Sequence, residues 1–144
     1  VLALAGTPQT VINIAMKNTV MMSVLALTLT ACSHLSHEAK KMAGNYYIPE
    51  ISEDQPLMEL RKDGSCTVRA IKPGVLTFSI DGEWNVEDGQ LTVELEPETI
   101  VTEGDSTLVG NIPDVITKKV IDYNGISLTV EDDGVQYVYH RRPN

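Results

Sequence analysis

Positive charge, cysteine and histidine are all scarce in this sequence, and each shortage closes off a class of function. Eleven lysines and arginines stand against 20 aspartates and glutamates, a formal charge of −9. An acidic surface repels nucleic acid and anionic lipid headgroups, so neither is expected to bind the protein surface directly. The two cysteines are Cys32 and Cys66, with no C-x-x-C pair between them. That argues against a thiol redox couple or a thiolate metal site. Of the three histidines, His34 and His37 precede residue 44 and His140 alone follows it. A serine or cysteine nucleophile needs a base within hydrogen-bond reach, and no motif supplies one.

Other motifs are missing as well. There is no glycine-rich phosphate loop. Carboxylates are plentiful, but glycoside hydrolysis needs two of them in one cleft at a set separation, and nothing in the spacing pairs them. The acidic stretches 94–105 and 131–133 lack the ligand order of an EF-hand. His34 and His37 sit three apart, but in a polar segment where solvated histidines are the simpler reading. No catalytic residue, metal site or cofactor is expected, and the chain reads as non-enzymatic.

Long apolar runs are also absent. A membrane-spanning helix needs about 20 apolar residues, and the run from Thr19 to Thr30 falls short. What is there instead is Met16 to Cys32, MKNTVMMSVLALTLTAC. Lys17 gives a short positive start, an uncharged stretch follows, and Leu29-Thr30-Ala31-Cys32 fits a lipobox. Small residues before the cysteine let a signal peptidase close on the backbone, and the thiol takes up a diacylglyceryl group. Residues 16–31 therefore read as a lipoprotein signal peptide and Cys32 as the lipidated residue. Residues 1–15 read as sequence upstream of the biological start at Met16. Residues 32–43 read as a lipidated polar tether and 44–144 as the folded domain.

Cleavage before Cys32 removes Lys17 and no acid, leaving 10 bases against 20 acids. The membrane partner is then reached through acyl chains rather than charge. The expected location is the bacterial cell envelope. Ser33, in place of the aspartate that retains enterobacterial lipoproteins in the inner membrane, leans toward the outer membrane where there is one. With Cys32 consumed by lipid, Cys66 has no disulfide partner. It shares a strand face with Val68 and Ala70 and reads as a buried apolar thiol.

From Gly44 onward short β-rich runs alternate with turn signals. Expected strands are Gly44–Ile48, Leu57–Lys62, Cys66–Lys72, Leu76–Ile80, Glu83–Val86, Gln90–Glu96, Thr107–Ile112, Ile116–Tyr123, Ile126–Glu131 and Val135–Arg141. Asp63-Gly64, Pro73-Gly74, Asp81-Gly82, Asp88-Gly89, Asn124-Gly125 and Asp133-Gly134 punctuate them. Asp-Gly and Asn-Gly accept the positive φ angles of tight hairpins. Period-two alternation, as in Leu91, Val93 and Leu95 against Thr92, Glu94 and Glu96, buries one face only. No stretch of helical period appears after residue 44. Successive hairpins without a crossover helix give an all-β antiparallel up-and-down meander. Closing it into an eight-stranded barrel removes the free edges; a β-sandwich is the rival. The inward set is expected to be Met58, Leu60, Cys66, Val68, Ala70, Leu76, Phe78, Ile80, Trp84, Val86, Leu91, Val93, Leu95, Ile126, Leu128, Val130, Val135, Tyr137 and Tyr139.

The rhythm Gly44-Asn45-Tyr46-Tyr47, Lys62-Asp63-Gly64, Gly82-Glu83-Trp84, Asp88-Gly89-Gln90-Leu91-Thr92-Val93 and Tyr139-His140-Arg141 resembles the small bacterial lipocalin-like lipoprotein domains. The resemblance covers roughly residues 44–142. It implies a barrel on a lipid anchor, able to hold one small hydrophobic ligand or to be filled by its own side chains. If a ligand is held, Trp84, Phe78, Tyr137 and Tyr139 are expected to line its site. A filled barrel would make the protein a surface interaction or structural lipoprotein instead.

Overall fold

Turn chemistry sets the path of the chain. The computed structural model describes Leu35–Asn144, and the signal run, Cys32 and His34 lie outside the described residues. Nine strands follow a short helix: α1 (His37–Met42), β1 (Gly44–Tyr47), β2 (Met58–Leu60), β3 (Ser65–Lys72), β4 (Leu76–Glu87), β5 (Gln90–Leu95), β6 (Val101–Gly104), β7 (Val115–Tyr123), β8 (Ser127–Asp132) and β9 (Val135–Arg142). Asp88 and Gly89 have φ of 53° and 73°, and Asp133 and Gly134 have 52° and 80°. Each pair forms a two-residue hairpin with both φ values positive, between the paired residues Glu87 and Gln90 and between Asp132 and Val135. That geometry matches the right-handed twist of the strands it joins.

All strand pairs are antiparallel, and β1-β2-β3-β4-β5-β7-β8-β9 closes on itself where β9 pairs with β1. The result is a closed eight-stranded up-and-down barrel, which excludes the sandwich. β6 is the ninth strand. It pairs with Leu76–Ser79 of β4, on the side that β5 occupies further along. β5 and β6 are thus two parts of one course along β4, interrupted by residues 96–100, which hold a 3₁₀ turn at Pro97–Thr99.

β6 has no counterpart among the expected strands, and other expected features differ as well. Asp81-Gly82 is not a turn: β4 runs unbroken from Leu76 to Glu87. Gly82 is needed for close approach, because a Cβ there would lie 2.1 Å from the Glu94 carbonyl oxygen. Gly82→Ala should therefore push β5 away and destabilise the domain by about 1–3 kcal/mol, the usual cost of overpacking. An unchanged thermal midpoint would show that β5 can yield. The expected strand over Thr107–Ile112 is instead a 3₁₀ turn at Ser106–Leu108 and irregular chain. Asp105 caps that turn, its carboxylate accepting from the Thr107 amide at 3.1 Å.

Residues 35–43, expected as a polar tether, are built into the core. Leu35, Ala39, Met42 and Ala43 are all buried. Ala39 and Met42, three apart, share one face of the helix, and Leu35 packs from just before its cap. Ser36 caps α1 by accepting from the Ala39 amide. Glu38 in the first turn and Lys40 and Lys41 in the last complement the helix dipole. α1 covers one barrel end and is fastened there on several sides. Ser36 Oγ donates to the Val86 carbonyl and Tyr46 OH to the Met42 carbonyl. Tyr123 OH donates to the Lys41 carbonyl at 2.8 Å. The Arg141 guanidinium donates to the Ala43 carbonyl at 2.6 and 3.1 Å and to the Gly125 carbonyl at 3.0 Å. No helix among the described residues is long and apolar enough to cross a membrane.

Candidate functional site

The barrel has two unlike ends. At one, α1 and the turns at Asp63-Gly64, Asp88-Gly89 and Asn124-Gly125 gather over a packed apolar core. Trp84, Tyr46, Leu60, Leu91, Leu128, Val86, Val130 and Cys66 are the largest fully buried side chains, and all but Val130, which opposes Tyr137, fill this closed half. Trp84 satisfies its indole N–H by donating to the Arg61 carbonyl at 2.8 Å. Tyr139 packs edge-on against Tyr46 with ring centroids 6.4 Å apart.

The other end is ringed by the Pro73-Gly74 turn, residues 96–114 and the Asp133-Gly134 turn. Residues directly opposed on neighbouring strands share a face of the sheet, so register identifies what points inward here. Tyr137 opposes the fully buried Val130, and Val135 opposes Asp132, in phase with Leu128 and Val130. Tyr137 is nevertheless 39% exposed and Val135 51%. Phe78 and Val68 are half-buried, and Ala70 is exposed. The expected inward set therefore holds its phase along these strands; at this end Val135 and Tyr137 of β9 reach solvent, whereas Leu76, Ile80 and Leu95 stay buried. Ile126 is the exception: it precedes β8, in the turn, and is exposed.

One inward position carries a charge that alternation alone does not reveal. Lys118 opposes Leu91, so its side chain starts from the inner face of β7. Its ammonium lies 3.4 Å from the Asp132 carboxylate and 5.4 Å from the centre of the Tyr137 ring. Its side chain is 17% exposed. The lysine lies in phase with Ile116 and Val120, both half-buried. That phase was the available sign, but a lysine in an alternating strand is ordinarily assigned to the solvent face. Arg141 is a second such residue: it opposes the buried Tyr46 and serves α1.

The four aromatics expected to line one ligand site do not share one place. Phe78 and Trp84 are six residues apart on β4, on the order of 20 Å at the rise of a strand. Trp84 and Tyr139 belong to the packed closed half, whereas Phe78 and Tyr137 lie toward the open end. Only the latter two have surface left for another molecule. His140 is exposed on the outer face of β9. Among the described residues, no three histidine, cysteine or carboxylate side chains converge as a metal site.

Burial also sets the acid–base behaviour of the interior. It pushes the Cys66 thiol up from 9.0 to about 12 and the Tyr139 phenol from 10.0 to about 12. It raises Tyr46 in the same direction, with Tyr123 beside it adding to the effect. All three groups bind their protons more tightly folded than unfolded. Their stabilising contribution is complete below the unfolded values and is lost as pH rises from about 9 toward 12. Alkaline unfolding should follow, with Cys66 unreactive toward a thiol reagent at pH 8 and reacting only as circular dichroism is lost. Rapid labelling of folded protein would contradict the burial of Cys66.

No protein-family model matches the sequence, and no curated protein matches it. Among solved structures, the chain is similar to a lipocalin-like protein from Bacteroides uniformis, with 22% identity and a TM-score of 0.47. The match covers 71% of this chain and 99% of that one.

Proposed function

We propose that the protein is a lipid-anchored barrel of the bacterial envelope that binds a small hydrophobic ligand at its open end. One observation carries the ligand: Tyr137 and Val135 lie on the inward face by register, yet keep 39% and 51% of their surface in water. Apolar surface aimed into a barrel mouth is what a small apolar molecule would cover. Phe78 and Tyr137 form the contact surface in this reading, and Trp84 and Tyr139 form part of the floor. The Lys118–Asp132 pair balances its own charge, which favours a ligand without a net negative head. The anchor rests on the lipobox and Cys32, and incorporation of labelled palmitate that Cys32→Ser abolishes is its test.

A neutral naphthylamine probe tests the ligand site. Saturable fluorescence enhancement is expected, weakened about tenfold by Tyr137→Ser, since burying an aromatic ring contributes roughly 1.5–3 kcal/mol. Trp84 emission is a poor reporter, because its ring is already enclosed. The packed closed half favours a second reading, a filled barrel that acts as an interaction module. Absence of binding across neutral, cationic and anionic apolar probes would select it.

A further inference from the structure

We propose that the closed end is the face this protein lays against the bilayer and that the open end points away from it. The inference rests on the lipid-anchor reading above and adds an orientation to it. Its first support is covalent reach. Cys32 precedes Leu35 by three residues, and three residues span at most roughly 11 Å in any conformation. Leu35 is itself part of the buried core. α1 is held to the closed end by the bonds from Tyr46, Tyr123 and Arg141 and by the Ser36 amide, which donates to Asn85 Oδ1 at 2.9 Å. The acyl chains thus sit on a short leash from a rigid surface, with no flexible stalk from Leu35 onward.

The length of the barrel decides what that leash permits. β4 has 12 residues, about 40 Å along the strand and roughly 30 Å along the barrel axis at the usual tilt. Turning the open end onto the membrane would require the link to run that distance. A link limited to about a third of it cannot.

Charge gives an independent second support. Residues 48–57, 73–75, 96–114 and 131–134, at and beside the open end, hold 11 acids, with Lys72 at the end of β3 the one base that adjoins them. The closed end mixes Lys40, Lys41 and Lys62 with Glu38, Asp63, Glu87 and Asp88. An anionic headgroup surface repels carboxylates within about one Debye length, roughly 8 Å at physiological salt. Held on the far side of the barrel, the acids at the rim lie well beyond that screening distance. Inverted, they would be pressed against the headgroups. A ligand would then enter from the aqueous side and not from the leaflet that anchors the protein.

Lys62 and Lys72 test this directly. Both are exposed, they bracket β3 at the closed and open ends, and replacing either removes the same charge. Lipidated Lys62→Cys and Lys72→Cys proteins are labelled with a fluorophore, the buried Cys66 staying unmodified. They are then reconstituted into phosphatidylcholine–phosphatidylglycerol vesicles containing a headgroup nitroxide lipid. Quenching at position 62 is expected to exceed that at position 72 at least threefold. Equal or reversed quenching in protein that floats with the vesicles would overturn the orientation while leaving the anchor intact. Protein that carries no acyl chain and does not float would remove the anchor reading, and the orientation with it.

Discussion

Trp84→Ala is expected to remove about 3–5 kcal/mol of folding stability, the range for deleting a large aromatic from a packed core. Trp84 is 1% exposed, and its ring fills the closed half in register with Val93 on β5, which in turn opposes Ile116 on β7. Removing it leaves a cavity and also strips the Arg61 carbonyl of its indole partner. Domains of this size have roughly 5–15 kcal/mol in total, so the variant should be marginal at 37 °C. Urea unfolding followed by circular dichroism measures the loss, since the only tryptophan is gone. Trp84→Phe separates the two contributions. It keeps most of the apolar contact and gives up the hydrogen bond, for about 1–3 kcal/mol. A Trp84→Ala midpoint equal to the wild type would mean that the closed half is not packed as described.

A chain starting at Gly44 is expected to lose about 3–6 kcal/mol relative to one starting at Leu35. Leu35 and Met42 are buried, and full burial of each such side chain contributes roughly 1.5–3 kcal/mol. The shortened chain also leaves Tyr46 OH and the Arg141 guanidinium without the Met42 and Ala43 carbonyls. The double variant Leu35→Ala, Met42→Ala retains the backbone carbonyls and should show most of the loss. Equal stability of the two chain lengths would show that α1 rests on the barrel without contributing to it.

These two regions differ in how far the residues announced them. Trp84 sits in a strand with clean alternation, so its inward direction follows from period two. α1 is six residues long and rich in histidine, glutamate and lysine, and by composition it reads as a solvated link. Its signal was the serine cap at Ser36 with Leu35 before it and Ala39 and Met42 three apart behind it, which is easily lost in so short a segment. The hairpins at Asp88-Gly89 and Asp133-Gly134 were legible because the turn needs positive φ, and those residues tolerate it. Asp81-Gly82 carries the same letters for a different reason. There the glycine is required by a neighbouring backbone, which no local window contains. The placement of Phe78 apart from Trp84 was hidden likewise. Alternation reports which face a side chain occupies but not how far along the barrel it sits. Lys118 and Arg141 were missed because a charge facing inward needs its partners to be known, and Asp132, Tyr137 and the Ala43 carbonyl are distant in sequence.

Arg141 has one more consequence, for the order of events as the chain is made. The seam between β1 and β9 joins Asn45 to Arg142 and Tyr46 to Arg141, residues almost a hundred positions apart, whereas most other seams join near neighbours. Local hairpins can form while later residues are still being delivered, but the cylinder cannot shut until β9 arrives. A nascent chain therefore cannot complete the barrel before its last strand is made. When that strand pairs with β1, one guanidinium on it ties the Ala43 carbonyl at the end of α1 to the Asn124-Gly125 turn.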